Sequence, residues 1–100
     1  MARVKIGGGG RWFDDKKATA YEEDTYWNGN NHVSVATGDQ WCHEKLFRTA
    51  RGAWILHSWS QWQGSEETYA VIEADDAHNW LVRNGHDDVV PAKVLAGLEV

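Results

Sequence analysis

Over the first seventy positions, apolar and polar residues alternate in short blocks bounded by Gly, Asn and Asp, and only the last quarter shifts to a period of three and four. That shift predicts strands first and helices last. Arg3 to Ile6 and Arg11 to Phe13 flank Gly7 to Gly10, which reads as a turn between two short strands. Ala18 to Trp27 is dense in Thr, Tyr and Trp, and the following Asn28-Gly29-Asn30-Asn31 tolerates the positive φ of a hairpin turn. His32 to Thr37 alternates around Val33 and Val35, Gly38-Asp39 turns the chain, and Trp41 to Thr49 begins a longer strand. In Leu46-Phe47-Arg48-Thr49-Ala50-Arg51-Gly52-Ala53-Trp54-Ile55-Leu56, Gly52 suits the left-handed position of a type I turn with a G1 bulge. Pairing Thr49 with Ala53 puts Arg48 opposite Trp54, Phe47 opposite Ile55, Leu46 opposite Leu56, Lys45 opposite His57 and His43 opposite Trp59. Both faces of that hairpin then carry apolar side chains, so both call for a cover.

Thr68 to Ile72 alternates as a last strand, after a turn-rich stretch from Gln61 to Glu67. Ala77, Trp80 and Leu81 then recur at helical spacing, with Asp75 and Asp76 at the start, Arg83 near the end and Gly85 as a stop. These signals predict a helix over Ala74 to Asn84, and Pro91 opens a second, short one whose apolar face is Val94, Leu95 and Leu98. The fold class is α+β: an antiparallel β-meander of about five or six strands followed by one or two C-terminal helices, in a single domain spanning residues 1–100.

Composition changes the picture at three points. Leu, Ile, Val and Phe together supply only 19 residues, so the core must draw on the seven Trp and three Tyr. The net charge of −5 belongs entirely to the second half, because residues 1–50 hold seven basic and seven acidic side chains and residues 51–100 hold three and eight. An acidic balance disfavours direct nucleic-acid binding unless Arg3, Lys5, Arg11, Lys16 and Lys17 gather on one face, and it favours a protein partner with a basic surface. Finally, one cysteine, Cys42, forms no internal disulfide, and the start lacks the apolar stretch of a signal peptide; both point to the cytoplasm. The longest strongly apolar run, Ala53 to Leu56, is too short to span a bilayer, so no membrane role is expected.

Few residues arrange themselves for chemistry. Cys42, His43 and His57 are the types that hold zinc, yet Cys42 and His43 are adjacent and point to opposite faces of a strand. The acidic pairs Asp14-Asp15, Glu22-Glu23, Glu66-Glu67, Asp75-Asp76 and Asp87-Asp88 meet the same objection on strands and are solvated in turns. No nucleophile elbow, phosphate loop or HExxH string is present, so neither an enzymatic activity nor a cofactor is expected. Trp54 and Trp80 fall on core faces, whereas Trp59 and Trp62, framed by Ser60 and Gln61, have the polar surround of an interaction surface. Trp27 and Trp41, beside turns, can join them.

The hairpin Leu46-Phe47-Arg48-Thr49 with Arg51-Gly52 and Trp54-Ile55-Leu56-His57, followed by Ala77, Trp80-Leu81 and Asn84-Gly85, resembles a family of small proteins from bacterial chromosomes, phages and other mobile elements. The likeness covers about a third of the chain and rests on a turn glycine, core aromatics and a helix stop. Glu73 stands where the family pattern has a Thr or Ser cap, and Trp59-Ser60-Gln61-Trp62 has no counterpart in it. The resemblance implies a fold and not a reaction; by analogy with anti-CRISPR and anti-restriction proteins, the expected partner is a host defence nuclease or its nucleic-acid groove, with the acidic lobe standing in for phosphates.

Three readings therefore enter the structure. The first is a non-enzymatic interaction protein that docks through Trp59, Trp62, Asp75, Asp76, Asp87 and Asp88. The second is a small-molecule or metal binder using His43, His57 and Trp59 as a cup. The third is a single-stranded nucleic-acid module stacking bases on Trp12, Trp27 or Trp59. Arg3 to Ile6 and Thr68 to Ile72, as edge strands, leave room for a homodimer.

Overall fold

A computed structural model describes residues 3–7, 10–61 and 67–99. Eight short strands come first: β1 (Arg3–Lys5), β2 (Trp12–Asp14), β3 (Thr19–Glu22), β4 (Thr25–Trp27), β5 (His32–Ser34), β6 (Cys42–Arg48), β7 (Trp54–Ser60) and β8 (Thr68–Ile72). Helix α1 (Ala74–Arg83), a 3₁₀ turn at Asp87–Val89 and helix α2 (Ala92–Gly97) follow. This is the expected α+β architecture, with all strand pairs antiparallel. It holds eight strands where five or six are read from the pattern, and one of the additional strands arises because Ala18 to Trp27, which reads as one strand, breaks at Glu23-Asp24. Its halves join different sheets: β3 pairs with β6, and β4 pairs with β5.

The main sheet has the order β3-β6-β7-β8, so β6, β7 and β8 form a meander and β3 crosses over to its free side. The β6–β7 register is the one that the Thr49–Ala53 closure demands, from Arg48 opposite Trp54 to His43 opposite Trp59. The Thr49 N–H donates the closing hydrogen bond to the Ala53 carbonyl at 2.9 Å, and Gly52 takes φ +88°, which a Cβ would oppose.

Each face of this sheet is covered by a different element. On one face Leu46 and Trp54 pack against Ala77, Trp80 and Leu81 of α1. On the other, Phe47 and Ile55 meet Phe13 of the β1–β2 hairpin, with the Phe13 and Phe47 rings 5.2 Å apart. The sheet thus lies between a helix and a hairpin, the two covers its two apolar faces required. Helix α1 ends in a Schellman motif: the His86 N–H donates to the Leu81 carbonyl at 2.8 Å and Gly85 takes φ +80°. Its start lacks a side-chain cap at Glu73, but Asp75 and Asp76 sit in the first turn, where the helix dipole favours negative charge. No helix among the described residues is long and apolar enough to cross a membrane.

Candidate functional site

Because residues paired across strands share a face, His43, His57 and Trp59 lie together on the hairpin side of the sheet. Their rings form a row with Tyr69: His57 stacks on Tyr69 at 4.1 Å between centroids and lies 4.6 Å from Trp59, which is 5.7 Å from His43. Trp59 is only half-buried, so it is neither enclosed nor a free anchor. Carboxylates close both ends of the row. His57 Nε2 is 3.0 Å from Glu67, and His43 Nδ1 is 2.5 Å from Glu23.

Glu23 is the centre of this polar arrangement, and its side chain is only 10% exposed. Its carboxylate accepts hydrogen bonds from the Ser34 hydroxyl and from the Glu44 backbone N–H at 3.0 Å, and also meets the His43 ring. Ser, Glu and His side by side suggest an acyl-transfer triad, but the order is wrong. A nucleophilic serine must hand its proton to the histidine, whereas Ser34 donates to the carboxylate and is wholly buried. The cluster is a structural tie that fastens β5 to β6.

The remaining chemistry at this row is modest. Cys42 lies on the opposite face from His43, and no group of three or more His, Cys, Asp or Glu able to hold a metal occurs among the described residues. Neither of two surface cavities, of about 520 and 630 Å³, is lined by His43, His57 or Trp59, so the cup proposed from sequence is filled by its own stacked rings. Burial raises the Tyr69 phenol above its usual value, helped by the negative charges of Glu67 and Asp15. A raised phenol stabilises the fold below its unfolded pKa of about 10, and that contribution is lost as pH climbs through the folded value. Spectrophotometric titration at alkaline pH should show a late-ionising tyrosine component that Tyr69→Phe removes; an unchanged curve contradicts this reading.

The acidic residues do not assemble as one surface with Trp59. Asp75 and Asp76 are exposed at the start of α1, and Asp87 and Asp88 are exposed in the 3₁₀ turn beyond its end, a helix length of about 15 Å away. All four lie with elements on the helix side of the sheet, whereas Trp59 is on the hairpin side. The expectation of a single face joining Trp59 to these carboxylates is therefore corrected, because successive residues of β7 alternate between faces and odd-numbered ones point away from α1. Trp62 lies outside the described residues, as do Glu66 and the glycines at 8 and 9 of the expected first turn.

A different set of aromatics stands out from the sheet. In the β4–β5 hairpin, Tyr26 is 50% and Trp27 59% exposed, with Trp41 also exposed just before β6. The base of the hairpin is fixed to the end of α1: the Asp24 N–H donates to Asn84 Oδ1 at 3.0 Å, and Arg83 donates to the Val35 and Ala36 carbonyls. His86 Nε2 lies 2.7 Å from the Glu22 carbonyl oxygen, and Asp87 and Asp88 follow it directly. So Asp87 and Asp88 share the hairpin's base with exposed Asp24, while Asp75 and Asp76 do not. Tyr26 escaped the sequence reading, and Glu23, set aside there with Glu22 as one of the acidic pairs, is in fact nearly buried. Tyr26 sat inside what looked like one continuous strand, and nothing local distinguishes the buried Glu23 from exposed Glu22 except the alternation itself. Comparison with protein-family models, with curated proteins and with solved structures finds no match for this chain.

Proposed function

We propose that the protein is a small non-enzymatic binding module that docks through the β4–β5 hairpin onto a protein partner with a basic surface. The observation that carries this reading is the exposure of Tyr26 and Trp27 on a hairpin all of whose β4 side chains are in solvent. A two-stranded hairpin gains little from such rings, and large aromatics of this kind are the usual anchors of interfaces. Asp24, Asp87 and Asp88 at the base add a negative flank, which steers a basic partner and fixes its orientation. If that partner is a host defence nuclease, as the sequence-level resemblance to mobile-element proteins leads one to expect, the carboxylates would occupy the place of phosphates.

Affinity capture from a host lysate, at low and high salt, tests the proposal with paired variants. The wild-type chain should retain a specific protein that salt releases. Tyr26→Ala with Trp27→Ala should reduce its recovery at least tenfold, as expected for removing anchors worth about 2 kcal/mol. Asp87→Lys with Asp88→Lys should weaken it chiefly at low salt. Equal recovery by all variants would refute the assignment of this hairpin.

A further inference from the structure

The β1–β2 hairpin has the reverse charge. Within residues 3–17, five cations stand against Asp14 and Asp15. The fold then concentrates four of the five around one ring. Trp12 is paired with Lys5 across the β1–β2 ladder, Arg3 Cζ lies 4.9 Å above its indole, and Arg11 and Lys17 line the same 520 Å³ cavity as Trp12. Arg51, from the turn between β6 and β7, completes the rim. Buried Phe13 and Ile55 form the floor.

Beyond the contact of Arg3 with Trp12, two features of this place are not called for by the packing. Trp12 is 49% exposed although the core is short of apolar side chains, and none of Arg3, Lys5, Arg11, Lys17 or Arg51 takes part in an ion pair among the described residues. Asp14 is the one carboxylate in the lining, and its Oδ1 accepts the Lys16 backbone N–H. An acidic protein thus keeps a cluster of cations, none of them in an ion pair among the described residues, around a half-exposed indole that bears Arg3 over its ring and around a cavity with an apolar floor.

We propose that this cavity and its rim bind single-stranded nucleic acid, with Trp12 as the stacking platform for an unpaired base and Arg11, Lys17 and Arg51 as phosphate contacts. Stacking on an aromatic ring beside backbone-tracking cations is how single strands are held without reading sequence. A duplex keeps its bases stacked inside and offers this ring nothing flat. An acidic peptide would satisfy the cations but leave the indole and the apolar floor in water. The site lies on the β1–β2 side of the sheet, and no residue of β4 or β5 lines it.

Fluorescence anisotropy of a short labelled oligothymidylate, titrated with the full chain, tests the assignment. Binding should appear at low salt and fall about a hundredfold for a tenfold rise in salt if three phosphates are engaged. Trp12→Ala should weaken it about tenfold while far-UV circular dichroism remains that of the parent. Arg11→Glu with Lys17→Glu, both exposed positions, should abolish it, and this pair decides the matter if the Trp12 variant does not fold. The proposal fails if the strand does not bind at low salt, or if Trp12→Ala binds like the parent. It fails equally if the matching duplex binds as tightly, or if an oligoglutamate displaces the strand as readily as unlabelled oligothymidylate does, which would make this an acidic-peptide site.

Discussion

Replacing Trp80 by Ala should lower the unfolding free energy by about 3 to 5 kcal/mol, the largest effect expected of any single substitution in this chain. The indole is 4% exposed and sits between Leu46 of the sheet and Leu81 of its own helix, so its removal leaves a void that the surrounding strands cannot fill. It also donates its N–H to Glu44 Oε1 at 3.1 Å and stacks on His86 with planes 4° apart, which ties α1 to the joint that carries the β4–β5 hairpin. A domain of this size is stable by only about 5 to 15 kcal/mol, so the variant should melt about 15 °C or more below the parent by circular dichroism. Trp80→Phe retains a ring and loses the N–H, and should fall between the two. A melting point for Trp80→Ala within a few degrees of the parent would show that the helix is not held by this contact.

Glu23→Ala should cost about 3 kcal/mol, read from urea unfolding with an unchanged dependence on denaturant. The carboxylate satisfies three partners at once, and Ser34 among them is wholly buried, so truncation leaves its hydroxyl, the Glu44 N–H and His43 Nδ1 without their acceptor. Glu23→Gln keeps one carboxyl-like oxygen and should lose less. The substitution has a functional consequence as well, because Ser34 closes the base of the β4–β5 hairpin. Loosening that base removes the orientation of Tyr26 and Trp27, and partner capture should fall together with stability. A loss below about 1 kcal/mol would mean that water takes over the role of the carboxylate.

The sequence and the structure agree where structure is local. The turn chemistry around Gly52 fixes the register of β6 against β7, and the spacing of Ala77, Trp80 and Leu81 with Gly85 fixes α1 to within a residue at its end. Thr68 to Ile72 is β8 as read. What escaped is non-local. The break at Glu23-Asp24 depends on hydrogen bonds to Ser34, Glu44 and Asn84, residues between 11 and 60 positions away, and no pattern within Ala18 to Trp27 reveals it. The partition of Trp59 and the acidic residues to opposite sides follows from strand alternation, which was legible, and from which cover took which face, which was not. Likewise, the charge count along the chain locates the acidic excess in the second half; only the fold brings Arg11, Lys17 and Arg51 to the rim of one cavity.

The Gly7 N–H donates to the Tyr69 carbonyl oxygen at 3.2 Å, across the outer border of β8. Exposed Val71 and Ala70 make that border an inviting template, and one occupied acceptor in its middle interrupts the row a newcomer would have to zip along. Besides roofing Phe47 and Ile55, the stretch that ends at Gly7 thus occupies part of the border along which a further strand would add.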